Sequence, residues 1–184
     1  MYFYTYRSIA LSGSPASGKS SLAKGLSEKL GWPVRSAGGL WRIKYAQQYP
    51  QKEVPFDEYW GSTSLEENRS VNHHIKVILE NSNAIGDLRY VSHINSSKCL
   101  KVFLEADIDT RAKRASKRGD YAGMRINEVK KKLQEREKAE LKMGYDLLGV
   151  DYRNPKQYHV VLNSAKMDVG EEVEMISNIL KEAR

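Results

Sequence analysis

The sequence predicts an α/β fold in which a parallel β-sheet carries helices on both faces. Three observations lead there. Short apolar runs at residues 8–11, 84–87, 100–105 and 158–163 have the length and side chains of strands. Between them lie stretches whose apolar residues recur at spacings of three and four, the period of a helix. The first strand passes through a loop with glycines at Gly13 and Gly18 straight into a helix rather than a hairpin, so consecutive strands are joined through helices and pair in parallel. At 184 residues the chain reads as one domain, long enough to bury a core.

Each element follows from local pattern. Ser8-Ile9-Ala10-Leu11 is a buried strand, and Leu22, Ala23, Leu26 and Leu30 form one face of a helix that Gly31 ends. Residues 32–36 form a second strand, and the small residues 37–39 open another helix through Trp41 and Arg42. Residues 49–56 carry Pro50 and Pro55 and lack periodicity, which predicts a loop with short helical pieces. A helix over 65–79 buries Val71, Ile75, Ile78 and Leu79 until Asn81-Ser82-Asn83 stops it. The strand at 84–87 ends in an acid, Asp87. After the strand at 100–105, Asp109 or Thr110 caps a helix carrying Arg111, Arg114 and Arg118. Residues 119–123 turn, and 126–143 form a long charged helix whose thin apolar stripe, Ile126, Val129, Leu133 and Leu141, predicts a flap. A last strand, 158–163, and a closing helix, 169–180, complete the chain.

Composition narrows the classes. No run approaches the ~18 apolar residues of a membrane span, and residues 1–6 lack the basic start and small-residue cleavage site of a signal peptide. A single cysteine, Cys99, allows no intramolecular disulfide, which agrees with a cytoplasmic setting; beside a strand it reads as core. The net charge is +7, and the stretch 111–142 holds twelve Lys or Arg against five Asp or Glu, the whole of that excess. Its one aromatic, Tyr121, gives no ladder for stacking bases, so a polyphosphate fits this segment better than nucleic acid. His73, His74, His93 and His159 show no metal-ligand spacing. Trp41, Tyr59 and Trp60 read as core or as a surface on which a base stacks.

The loop carries the chemistry. Gly13-Ser14-Pro15-Ala16-Ser17-Gly18-Lys19-Ser20 reads G-x-x-x-x-G-K-S, the phosphate-binding P-loop, in its required place between a strand and a helix. The glycines let the backbone turn its N–H groups onto phosphate oxygens, and the helix start adds a positive dipole end. Residues 13–21, with Ser21 closing the stretch, are therefore expected to bind ATP, with Lys19 on the β- and γ-phosphates and Ser20 on Mg²⁺. Asp87, an acid at a strand end, is a candidate for the Mg²⁺ hydration shell, and Arg89 for the acceptor phosphate. Arg111, Arg114 and Arg118 stand at i, i+3 and i+7 and are expected to face phosphate together. The fold is thus expected to be the three-layer P-loop NTPase fold.

The chain resembles the nucleoside monophosphate kinases, and among them the short archaeal and bacterial cytidylate kinases. Residues 36–42 are similar to the family's S-A-G-x-(L/I)-(F/W)-R, residues 136–140 to R-E-x-S-E, residues 149–151 to G-I-D, and residues 158–164 to its last strand. The resemblance implies a monophosphate-binding insertion over about 36–79 and a lid over about 118–137. It implies ATP with Mg²⁺ as donor and CMP or dCMP as acceptor, the acceptor held by Ser36, Gly38 and Arg42. Arg114, Arg118 and Arg136 would close on the transferring group with Lys19, and Asn163 and Ser164 would lie near the donor base. A monomer is implied. Two departures stand out: Asn68 and Asn72 replace an expected D-x-x-x-D pair, and Met143-Gly144 replaces an Arg-Tyr pair. They leave open another small acceptor, or a nucleotide-binding regulatory or RNA-associated protein with weak transfer.

Overall fold

A computed structural model describes residues 6–182 of the chain; the stretch 1–5, where no signal peptide is expected, lies outside them. Five strands, β1 (Ser8–Gly13), β2 (Val34–Ser36), β3 (Ala84–Asp87), β4 (Cys99–Glu105) and β5 (Val160–Asn163), form one sheet in the order β2-β3-β1-β4-β5. All neighbours pair in parallel. The central strand, β1, is buried throughout, because helices cover it on both sides. Its register sets Leu11 beside Asp87 of β3 and Gly13 beside Leu104 of β4. The carboxyl ends of three strands therefore meet at one edge, where α/β sheets place their ligands.

On one face pack α1 (Lys19–Leu30) and α7 (Val169–Glu182), with Leu22, Leu26, Ile176 and Leu180 in the core. The two helices approach so closely that a Cβ on Gly25 would lie 2.7 Å from the Val173 side chain. The other face is covered by α4 (Leu65–Asn81), whose Ile75 and Leu79 join Ala10, Val91, Ile94 and the buried Cys99. A Ser64–Glu67 capping box starts α4. Ahead of it come α2 (Ala37–Gln48) and a short helix α3 (Phe56–Ser62), which begins where the stretch expected to be loop, 49–56, ends. Trp41, Tyr59 and Val71 form a small separate core there.

Four expectations are corrected. Helix α5 (Ile108–Ala115) is capped by Asp107, whose carboxylate accepts from the Thr110 N–H at 2.8 Å, not by Asp109 or Thr110. It ends before Arg118, so the three arginines do not share one helix. Helix α6 (Ile126–Leu148) runs past residue 143 and is no thin flap. Val129 and Leu133 are fully buried against Ala112, Ala115 and Ala16, which ties α6 to the glycine-rich loop. The last strand begins at Val160 rather than 158. Among the described residues no helix is long and apolar enough to cross a membrane.

Candidate active site

The loop after β1 is shaped by backbone that only small residues permit. Gly13 has φ 147°, and a Cβ there would sit 2.2 Å from the Leu104 carbonyl oxygen. Gly18, at φ 107°, precedes α1 and supplies no side chain to cap it. The first N–H groups of α1 are thus left for an anion.

Lys19 is buried beneath this loop, and its Nζ donates to the carbonyls of Gly13 (2.8 Å) and Ser14 (3.4 Å). Among the described residues no carboxylate pairs with it. Burial, and then the Arg89 guanidinium, pull its pKa down to about 7. A phosphate oxygen would supply the missing negative partner. Beside it the Ser20 hydroxyl donates to Asp87 Oδ2 at 2.7 Å. These two hard oxygens suit Mg²⁺, which takes one or two protein ligands and keeps its waters and phosphate oxygens. No cluster of three or more His, Cys, Asp or Glu able to hold a metal exists among the described residues.

A cleft of about 320 Å³ opens over these groups. Residues 15–20 form one wall, α2 and α4 the opposite one, and α6 with Arg118 and Tyr121 the roof. Of the acceptor candidates, Ser36, Gly38, Arg42, Asn68, Asn72 and Arg89 all line it. Ser36 accepts from the Gly39 N–H at 3.1 Å and so caps α2. Arg42 lies over the Phe56 ring, 4.7 Å from its centroid, and 3.7 Å from Asp120 across the cleft. Asn68 is 2% exposed; its amide nitrogen donates to Thr63 Oγ1 (2.9 Å) and the Ser64 carbonyl (3.0 Å). The Asn72 amide donates to the Asn68 carbonyl at 2.7 Å.

Two glutamates on α6 organise the arginines, and no role falls to them in the sequence reading. Glu140 is buried, and its Oε1 accepts from Arg89 (2.8 Å) and Arg136 (3.0 Å). Arg89 also donates to the Gly13 carbonyl. Glu137 accepts from the Ser14 hydroxyl (2.7 Å) and from Arg111 (3.1 Å). Arg111 is thus a buried brace, reaching the Pro15 carbonyl as well, rather than an open phosphate contact. Arg114 donates to the Ser17 carbonyl and to Ser164, holding the loop from behind. Both glutamates stand in the stretch Arg136-Glu137-Lys138-Ala139-Glu140. Their spacing of three on a helix was the signal available for a shared inward face.

Of the residues expected on the transferring group, Arg118 and Arg136 line the cleft and Arg114 does not; nor do Ser21, Asn163 and Ser164. Ser21 is exposed at the start of α1. Asn163 accepts from the Ala165 N–H, and Ser164 is buried, donating to the Ser17 carbonyl. Trp41, Phe56 and Trp60 supply the aromatic wall.

A parallel sheet of this order, with a buried lysine in a glycine-rich loop at the end of its central strand, defines a P-loop kinase. Solved structures agree in fold. Shikimate kinase from Acinetobacter baumannii in complex with shikimate superposes with a TM-score of 0.61 at 15% identity, over 96% of this chain and 94% of that one. A gluconokinase from Sinorhizobium meliloti gives 0.54 at 17% identity, over 94% and 90%.

The chain belongs to the cytidylate kinase-like family, whose sequence model matches residues 8–166. It is 31% identical to the cytidylate kinase of Thermoplasma volcanium over 178 residues, covering 95% of this chain and 91% of the relative. It is 28% identical to that of Methanopyrus kandleri over 171 residues, covering 86% and 84%.

Proposed function

We propose that the protein transfers the γ-phosphoryl group of ATP to a nucleoside monophosphate, with CMP or dCMP as the acceptor. The carrying observation is one cleft lined by two chemically distinct sets of residues: 15–20 of the phosphate loop, with Arg89 bonded to the loop at Gly13, and Arg42, Asn68 and Asn72 of α2 and α4. The related cytidylate kinases support the choice of acceptor.

In this reading the loop N–H groups and Lys19 hold the donor phosphates. Ser20 and Asp87 would hold Mg²⁺, which draws charge from the phosphate oxygens. Arg42 grips the acceptor phosphate, and Arg136, with Arg118, faces the group in flight, while Arg114 holds the loop through Ser17 and Ser164. Phosphoryl transfer spreads negative charge over the equatorial oxygens, so positioned guanidinium groups do the catalytic work and no protein nucleophile is required. Residues 36–79 act as the monophosphate-binding insertion and 118–137 as the lid; closing them excludes water and protects ATP from hydrolysis.

The amides favour a base bearing an exocyclic amine. Asn68 spends its amide hydrogens on Thr63 and Ser64, so the atom it can still offer is Oδ1, an acceptor. An acceptor selects a donor such as the cytosine amino group and disfavours a carbonyl edge.

The test is ADP release from ATP and Mg²⁺ with CMP, dCMP, UMP, AMP and GMP, with Lys19→Ala as control. Turnover with CMP or dCMP, lost in the control, is expected. Turnover with another monophosphate alone would move the specificity, and none with any would sink the proposal.

A further inference from the structure

Beside the acceptor wall, on the flank of α4 that adjoins Asn68 and Asn72, lies a second cavity of about 210 Å³. Arg69, Asn72, His73 and Lys76 of α4 line it, with His93 from the loop after β3 and Leu147 and Leu148 from the end of α6. All its titratable lining groups are basic, and no carboxylate is among them. Neither Arg69 nor Lys76 has an ion-pair partner among the described residues. The carboxyl end of α6 helps to gather these cations through its dipole. It brings no anion to neutralise them.

The cavity shares a residue with the cleft. Asn72 lines both. Its backbone carbonyl faces His93 Nε2 at 3.3 Å, while its side-chain amide nitrogen donates to the Asn68 backbone carbonyl at 2.7 Å. The carbonyl is an acceptor, so Nε2 carries the hydrogen and the His93 ring is held in one tautomer. A ligand in this cavity therefore meets the same turn of α4 that presents Asn68 and Asn72 to the cleft.

We propose that this cavity is a second anion site, taking a phosphate group either bare or carried on a small apolar body, and that filling it changes the affinity of the acceptor pocket. The guanidinium of Arg69 and the ammonium of Lys76 meet the phosphate, and Leu147 and Leu148 receive the apolar body. The coupling part rests on the kinase reading of the cleft; the site itself does not.

The experiment separates the two. The intact protein is saturated with Mg²⁺-ADP to fill the glycine-rich loop. It is then titrated with inorganic phosphate, and separately with phenyl phosphate, while the His73 and His93 ring signals are followed by NMR. Saturable shifts are expected at both rings. Arg69→Ser with Lys76→Ser should weaken the response at least about tenfold, the scale of a lost charge-assisted contact, with Mg²⁺-ADP affinity unchanged. Arg69→Lys with Lys76→Arg keeps both charges and should keep binding. Tighter binding of phenyl phosphate supports a ligand with an apolar body; equal binding supports bare phosphate. Rings that do not respond, or that respond with undiminished affinity in the double serine variant, overturn the site. For the coupling, calorimetry of CMP with and without phenyl phosphate should show an affinity change in the wild type and none in the double serine variant. No change in the wild type overturns the coupling and leaves the site standing on the ring shifts.

Discussion

Ser20 and Asp87 stand 67 positions apart in sequence, and the Ser20 hydroxyl donates to Asp87 Oδ2 at 2.7 Å. The meeting is a product of strand order. β3 lies directly beside β1, and its register sets Asp87 level with Leu11, just below the loop that carries Ser20.

Asp87→Asn keeps the shape of that contact and removes its charge. Turnover is expected to fall about 10- to 100-fold, with a rise in the Mg²⁺ concentration needed for half-maximal rate. Steady-state rates across a Mg²⁺ titration check this. An unchanged Mg²⁺ dependence would remove Asp87 from the metal's surroundings.

Arg136→Ala should lower turnover about 10³-fold, the scale of arginine groups in phosphoryl transfer, while donor binding stays near wild type. Glu140→Gln is expected to give a milder form of the same loss. It leaves Arg89 and Arg136 in place but removes the carboxylate that aligns both. Single-turnover kinetics alongside calorimetry of ATP separates the rate from the affinity.

Glu137→Ala breaks a pair whose side chains are 8% and 14% exposed and leaves Arg111 buried without its carboxylate. Such losses cost about 3–5 kcal/mol. The Ser14 hydroxyl loses its acceptor in the same change, so the loop loosens as well. A fall in the urea midpoint, together with weaker nucleotide binding, is the expected pair of results.

Glu172 is buried at the start of α7, and desolvation raises its pKa to about 7 despite the nearby Arg114. Unfolded, it titrates near 4.5. Between those values the native state keeps a proton that the unfolded chain has lost, so this group's contribution to stability falls as pH rises through that window and is level above it. Glu172→Gln should therefore gain on the wild type at about pH 8 and not at about pH 4. Urea denaturation of both proteins at the two pH values measures the difference.

The sheet and the loop were legible because their signals are local. A run such as Ile9-Ala10-Leu11 admits few readings, and G-x-x-x-x-G-K-S dictates its own surroundings. What escaped was set by tertiary contact. The thin stripe of α6 suggested exposure, yet Val129 and Leu133 are completely buried, because Ala112, Ala115 and Ala16 are small enough to let a narrow seam close. Arg111 looked like a partner for phosphate in a row of three, but Glu137, 26 residues away, claims it. The end of α5 at Ala115 broke that row, and periodicity alone does not mark such a boundary. The cap moved by two residues because Asp107 reaches Thr110 first.

The placement of β1 also governs when the site can come into being. Its partners are residues 84–87 on one side and 99–104 on the other. As the chain leaves a ribosome, the glycine-rich loop is made before either of these partners, and the strand that packs beside Gly13, β4, is made only after β3. Contacts of such long sequence separation slow folding, and their loop-closure entropy falls due before any of the sheet's burial is gained. The nucleotide loop thus depends for its shape on strands made well after it.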